Sequence, residues 1–242
     1  MSNYVCSDLH GMGELWKKIQ EHLTLEDTLY FLGDAADRGP DGYEIIKSMI
    51  ADPRVIYIKG NHENLLVEGM LTSNFGEKRY SDNFDLWMFN GGYDTFTSML
   101  EDDKETVKTI VEHLDALPYR TEYLNKDGIL IHLCHAGYTP WDKNFPTKYD
   151  LIWDRSHFCD PYKKGCYDIV IHGHTPAPHL AKCLSDYKRF YNDDSINYYE
   201  QNGAIIYCDR HKIDIDCGSA FTHKTVLVNL DTLEFIPIVM ED

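Results

Sequence analysis

Residues 55–65 read VIYIKGNHENL. A short apolar run rich in β-branched residues ends at Lys59-Gly60, and Asn61, His62 and Glu63 follow in immediate succession. In isolation this is a strand, a turn and the start of a helix. Asn at a helix entrance satisfies orphan backbone amides, and Glu63 in the first turn complements the helix dipole. The same arrangement recurs along the chain. After NYVCS come Asp8, His10 and Gly11, and after TLYFLG come Asp34, Asp37 and Arg38. GILIHLC runs into His135 and Ala136-Gly137, and DIVIHG runs into His174. In open α/β sheets, ligands collect outside the carboxyl ends of the strands. Five strands that each deliver Asp, Asn or His at that point predict one site.

Working outward, the first third alternates strand and helix. GELWKKIQEHL places Leu15, Ile19 and Leu23 at helical spacing, and DGYEIIKSMI supplies a second helix between the second and third strands. Helix-linked apolar strands of this kind predict parallel pairing in an α/β layer. Residues 61–117 read mostly helical, with DLWMFNGGYDTFTSML interrupted at Gly91-Gly92 and a charged amphipathic stretch at 102–116. The second half turns to strands: YRTEYL, GILIHLC, DIVIHG, AIIYCD, KIDIDC, KTVLVNL and LEFIPIV. The polar, tyrosine-rich stretch 185–202 reads as a surface loop. No linker, repeat or low-complexity segment divides the chain. The expectation is therefore one α/β domain over residues 1–242, a sandwich of two sheets flanked by helices, with a helical insertion around 65–117.

Composition narrows the function classes. A chain of 242 residues, 43% hydrophobic, has the length to bury a substantial core. It has no run of about 18 apolar residues, so no membrane span is expected. MSNYVCSDLHG lacks the basic stretch and apolar core of a signal peptide. The seven cysteines are odd in number and form no CxxC pair, which predicts reduced thiols and a cytoplasmic location. A formal net charge of −17 argues against a nucleic-acid groove, which needs a basic stripe to release counterions. Most of the 40 carboxylates read as solvated surface. The twelve histidines are more informative, because they gather near Gly and Asp at the ends of apolar runs.

Carboxylate, imidazole and amide oxygen suit divalent metals such as manganese, iron or zinc. Six such groups exceed what one tetrahedral zinc uses. Two metals about 3.5–4 Å apart, sharing a carboxylate, use them all. His132 and His172 lie inside apolar runs and read as core histidines, whereas His135 and His174 stand at strand exits and read as ligands. Cys6 and Cys134 read as small buried hydrophobes. Arg38, and Arg155 in LIWDRS, are candidate clamps for an anion, because guanidinium forks match phosphate oxygens. His62 reads as a general acid and Asp37 as the group that holds its tautomer. No Ser or Cys nucleophile is required, since two metals lower the pKa of a bridging water and align it for in-line attack on phosphorus.

SDLHG, GDAADRG, GNHE, HAG and GHT resemble, in order, the motifs of the phosphoprotein phosphatase family of calcineurin-like metallophosphoesterases, in its compact bacterial and bacteriophage lambda type. The motifs span residues 7–175, and DIDCGSA (214–220) resembles the closing strand and turn. The resemblance implies a calcineurin-like sandwich with a dinuclear site between its sheets. It places Asp8 and His10 on one metal, Asp34 between both, and Asn61, His135 and His174 on the second. It puts the phosphate at Arg38, Arg155, Asn61 and His62, with His62 protonating the leaving oxygen and Asp37 paired to it. Manganese is the first expectation for the metals, with iron, zinc, nickel or cobalt as the others. Ser7 stands where the family usually has Gly, and Ala35-Ala36 where a bulkier pair is common; neither removes a ligand. Residues 65–130 carry no matching motif.

The expected activity is that of a phosphomonoesterase acting on phosphoserine, phosphothreonine or phosphotyrosine in proteins. The alternative is a dinucleoside polyphosphate hydrolase or another small-phosphoester hydrolase. Symmetrical hydrolases of that type resemble the family but tend to carry Ala at the position of Asp37 and GNHD in place of GNHE, while HAGYTPW is reminiscent of them. A binding module without catalysis is disfavoured, since every ligand position and His62 are filled.

Overall fold

The computed structural model describes residues 1–75, 81–141, 145–160, 165–191 and 197–241. Two mixed sheets pack face to face. The first sheet has the order β11-β10-β1-β2-β3, and the second β4-β5-β6-β9-β8-β7. The first contains β1 (Asn3–Cys6), β2 (Thr28–Phe31), β3 (Val55–Tyr57), β10 (Lys224–Asn229) and β11 (Phe235–Val239). The second contains β4 (Arg120–Leu124), β5 (Leu130–Cys134), β6 (Ile169–His172), β7 (Tyr198–Gln201), β8 (Ala204–Tyr207) and β9 (Lys212–Asp214).

Register explains why the motif residues meet. β1, β2 and β3 are parallel, with Cys6 opposite Phe31 and Phe31 opposite Tyr57, so three strands end at one level. β5, β6 and β9 are also parallel, with Leu133 opposite Ile171 and His172 opposite Asp214. The carboxyl ends of both parallel triplets form one edge of the sandwich. Alternation along each strand sends Ile131, Leu133, Ile169, Ile171, Ile213 and Ile215 inward, where they meet Val5, Val226 and Val228 in the inter-sheet core.

Helices α1 (Gly13–His22), α2 (Gly42–Ala51), α3 (Asn61–Thr72), α4 (Asp82–Trp87), α5 (Tyr93–Met99) and α6 (Lys104–Ala116) share one apolar cluster with the outer face of the first sheet. A wide turn, Met88–Gly92, joins α4 to α5 where the Gly91-Gly92 interruption was expected. A short α7 (Lys148–Trp153) and a 3₁₀ turn (Ser156–Cys159) lie between β5 and β6. After β6 comes α8 (Ala177–Tyr191), and a single turn, α9 (Ser219–Thr222), precedes β10.

The expected surface loop at 185–202 is corrected. Its described residues are the last turns of α8 and the strand β7. Ala177, Leu180 and Leu184 follow helical spacing and bury against Phe158, Ile205 and Tyr207 on the outer face of the second sheet. Pro178 is tolerated because it falls in the first helical turn. β7 and β8 form a hairpin through Asn202-Gly203, both at positive φ (54° and 92°), as a two-residue turn of primed type requires.

Because Leu180 is wholly enclosed in this outer layer, Leu180→Ala is expected to destabilise the protein by about 2–5 kcal/mol. Lys182→Ala, on the exposed face of the same helix, should stay within about 0.5 kcal/mol. Urea denaturation midpoints of the two variants measure the contrast, and equal midpoints would place α8 outside the core.

Candidate active site

The site residues occupy the turns immediately beyond the strand ends, and their backbones show it. Asp8 (φ 54°), His10 (45°), Asp34 (61°), Asp37 (69°), Arg38 (66°) and His174 (71°) all adopt left-handed conformations that non-glycine residues rarely take. These backbones redirect the chain sharply from strand into the space above both sheets. All are buried except Arg38.

Glu63 fastens the turns together. Its Oε2 accepts the amides of Asp34 (2.8 Å) and Gly60 (2.9 Å), and its Oε1 accepts the Ala35 amide (2.9 Å) and the Tyr57 hydroxyl (2.8 Å). The helix cap is Gly60, and Asn61 is the first helical residue. The Asn61 side chain therefore does not cap α3. Its Oδ1 instead lies 2.8 Å from His135 Nε2 and 2.8 Å from His174 Nδ1.

Imidazole tautomers are set from behind. His10 donates Nδ1–H to the Ala36 carbonyl (3.1 Å) and His135 donates Nδ1–H to the Leu32 carbonyl (2.8 Å). Each therefore turns Nε2 toward the centre. Asp34 Oδ1 accepts the His62 amide at the start of α3 (3.0 Å), which leaves Oδ2 facing the imidazoles. That oxygen lies 3.4 Å from His135 Nε2, 3.7 Å from His10 Nε2 and 3.9 Å from His62 Nε2. Asp8 Oδ1 is 3.9 Å from His10 Nε2, and the Asp8 carboxylate accepts the His174 amide at 3.1–3.2 Å. Two groups of donors able to hold a metal emerge: His10, Asp34 and His62, and Asp34, His135 and His174, each with its donor atoms within 4.8 Å of one another. Asp34 belongs to both.

The electrostatics favour a cation. Burial opposes charge on His135, yet the carboxylates of Asp34 and Asp8 push its pKa up to about 9. Burial acts against the Asp34 anion too, but His135, His62 and His10 hold it well below the ordinary carboxylate range. Burial and the neighbouring Asp216 raise Asp8 well above that range. His174, through burial and the adjacent His135, is held neutral, with a buried Nε2 that has no partner. The neutral imidazoles of His10 and His174, an anionic shared carboxylate and a surplus of buried acid form a donor set that fits divalent ions.

His62 lies at the other end of the cluster. Its Nδ1–H donates to Asp37 Oδ2 at 2.7 Å. Burial lowers its pKa, but Asp34 and Asp37 outweigh this and raise it. Asp37 is itself held by Trp87 Nε1, at 3.1 Å from both carboxylate oxygens, and its amide donates to Thr95 Oγ1 (3.0 Å). Arg38 donates Nη1 to His10 Nε2 (2.8 Å) and Nη2 to His62 Nε2 (3.0 Å), and its amide bonds the Gly91 carbonyl (3.0 Å). Arg155 is exposed and donates Nε to Thr175 Oγ1 (2.8 Å), beside His174.

The structure thus gathers Asp8, His10, Asp34, Asp37, Arg38, Asn61, His62, His135 and His174 at one centre, with Arg155 at its edge. His132 and His172 stay out of it. His132 lies between Glu122 and Asp168, at 3.3 Å from each. His172 contacts the Tyr207 hydroxyl (2.7 Å), and burial drives its pKa to about 3. Cys6 and Cys134 are enclosed, and burial pushes both thiols up to about 12. Sequence reasoning missed Trp87, Thr95 and the Gly91 carbonyl behind the Asp37–Arg38 turn. The break at Gly91-Gly92 within an otherwise helical run was their only signal. It also missed Asp216, which the parallel exit of β9 delivers next to Asp8 and Asp34 and whose pKa burial raises to about 6.

Comparison with known proteins agrees with this geometry. The pattern of the calcineurin-like phosphoesterases matches residues 1–217. Serine/threonine-protein phosphatase 1 of Salmonella typhimurium is 26% identical over 182 residues, covering 72% of this chain and 78% of its own. A symmetrical bis(5'-nucleosyl)-tetraphosphatase of Legionella pneumophila is 24% identical over 226 residues, covering 87% and 69%. The crystal structure of a candidate diadenosine tetraphosphatase superposes with a TM-score of 0.59 at 14% identity, covering 99% of this chain and 94% of the other, which shows a shared fold. Among the described residues, no helix is long and apolar enough to cross a membrane. The chain belongs to the calcineurin-like phosphoesterases, metal-dependent hydrolases of phosphoester bonds.

Proposed function

We propose that this single-domain protein, with a helical insertion around residues 65–117, is a dinuclear phosphomonoesterase acting on phosphorylated serine or threonine in proteins, with phosphotyrosine as a further substrate. The observation that carries the reading is the His62–Asp37 pair at 2.7 Å, set beside the metal-facing nitrogens. Asp8 and His10 would hold one ion, Asp34 both, and Asn61, His135 and His174 the second, with manganese the first choice. Ions held there supply Lewis acidity toward the phosphoryl oxygens and the attacking water.

The protein's own groups do the rest. Arg38 and Arg155 bind and orient the phosphoryl group through charge-assisted hydrogen bonds. An anionic phosphate oxygen is a stronger acceptor for Arg38 than the imidazole nitrogens it contacts in the structure. When Arg38 turns to it, His62 Nε2 is released to carry a proton. Asp34 and Asp37 favour that protonated form, and His62 then delivers the proton from Nε2 to the leaving oxygen. Asp37 keeps the ring in place through Nδ1, and Trp87 keeps Asp37 in place.

The presence of Asp37 and of Glu63 in GNHE supports the monoesterase over the tetraphosphatase, as does the likeness to the Salmonella phosphatase. The second reading, a dinucleoside polyphosphate hydrolase, is favoured by the longer match to the Legionella protein.

His62→Asn is expected to keep the wild-type metal content and to lose about 10²–10⁴-fold in turnover on a substrate with a poor leaving group. Unchanged turnover would remove His62 from the acid role. Asp34→Asn should lose both metals, and elemental analysis that still finds two ions per chain would refute the shared carboxylate. The substrate reading is tested by parallel kcat/KM measurements, with Mn²⁺ present, on phosphoserine, phosphothreonine and phosphotyrosine peptides and on diadenosine tetraphosphate. Preference for the dinucleotide would establish the second reading.

A further inference from the structure

Lys212 takes no part in the chemistry above, yet it is wholly enclosed. It lies on the outer face of the second sheet, against Thr139 and His157 of the segment between β5 and β6. An enclosed ammonium needs acceptors for its three protons. That segment supplies them: Thr139 Oγ1 at 3.0 Å, the His157 carbonyl oxygen, and His157 Nδ1 at 3.4 Å. His157 donates Nε2–H to the Ala136 carbonyl (2.8 Å), which leaves Nδ1 as the acceptor facing Lys212. Burial and the Lys212 charge keep this imidazole neutral. Thr139 accepts from Lys212 and donates to Asp160 Oδ2, so the bonds reach the far end of the segment. Burial lowers the Lys212 pKa to about 8, against the pull of Cys208 and Asp160, so the amine is charged at neutral pH.

What Lys212 holds matters for the site. Ala136 and Gly137 directly follow the ligand position His135. Gly137 has φ 84°, and a Cβ there would come 2.7 Å from His157 Cε1, so the ring rests against this turn and only glycine leaves room for it. His157 belongs to the 3₁₀ turn that Arg155 opens, two residues after Arg155 itself. Arg155 is otherwise an exposed side chain on a short turn, with its Nε on Thr175.

We propose that Lys212 is a positioning residue for Arg155: by fixing His157 it holds the Ser156–Cys159 turn in place and with it the Arg155 guanidinium beside Thr175 and His174. The inference rests on reading Arg155 as a phosphate clamp. It accounts for a buried charge, 57 residues further along the chain, whose three protons all point at the segment bearing that arginine.

A double-mutant cycle separates positioning from general support of the fold. Arg155→Ala, Lys212→Met and the double variant, each loaded with Mn²⁺ and checked for folding by circular dichroism, would be assayed on p-nitrophenyl phosphate with inorganic phosphate as inhibitor. Arg155→Ala is expected to weaken phosphate inhibition by about tenfold, a loss of about 1.4 kcal/mol. Lys212→Met should reproduce most of that loss, and in the Arg155→Ala background it should add less than about twofold, since coupled residues are non-additive. Full additivity, or wild-type phosphate inhibition in Lys212→Met, overturns the inference and leaves the clamp standing. Wild-type inhibition in Arg155→Ala overturns the clamp and the inference with it. If Lys212→Met does not fold, Lys212→Gln, which keeps an N–H donor, takes its place in the same cycle.

Discussion

The structure depends on burying six carboxylates, those of Asp8, Asp34, Asp37, Glu63, Asp214 and Asp216, at one end of a sandwich. Desolvating an anion is unfavourable by several kcal/mol unless hydrogen bonds or countercharge offset it. The six are compensated differently. Glu63 is saturated by three amides and a hydroxyl. Asp34 has one oxygen on an amide and the other among imidazoles. Asp214 retains a buried oxygen with no partner, and its pKa is raised well above the usual range by burial and by Asp216. A fully compensated carboxylate builds the scaffold, while the half-compensated Asp34 leaves an oxygen for positive charge.

Backbone strain is the second element of this design. Six residues of the cluster sit at positive φ, a conformation that for non-glycine residues persists only where surrounding bonds over-determine it. Here those bonds are visible: Glu63 grips Asp34 and Ala35, Thr95 and Trp87 grip Asp37, and the Gly91 carbonyl grips the Arg38 amide. The helices beyond β3 therefore do more than cover a sheet. They supply the clamps that hold the Asp37–Arg38 turn against the His62 ring.

Much of this was legible in the sequence because the relevant signal is local. Each proposed ligand follows a short apolar strand, and strands of matched polarity end at a common level when they pair in parallel. The amphipathic spacing of Leu15, Ile19 and Leu23 was equally plain. The misreadings have physical causes. α8 follows Pro176, carries Pro178 in its first turn and ends in a polar, aromatic run, so composition masked the three-residue stripe of Ala177, Leu180 and Leu184 that buries it. The Asn202-Gly203 turn was a hairpin signal hidden by the polarity of β7, an edge strand. Trp87 reaches the site through a tertiary contact that no spacing encodes, Asp216 fell inside KIDIDC, a run read whole as a strand that in fact ends at Asp214, and Asn61 looked like a cap because its neighbour Gly60 fills that position without a side chain.

The proposed ligand positions divide between the two sheets. Asp8, Asp34 and Asn61 hang from β1, β2 and β3, whereas His135 and His174 hang from β5 and β6, more than seventy residues later in the chain. Neither half of the sandwich can assemble the full set alone. The centre therefore comes into being only when the two layers dock, so an ion bound there links the halves much as a rivet joins two plates. Assembly of the long-range core and completion of the proposed metal centre would then be one event: a chain that has closed only its first layer offers Asp8, His10, Asp34 and Asn61 but lacks His135 and His174.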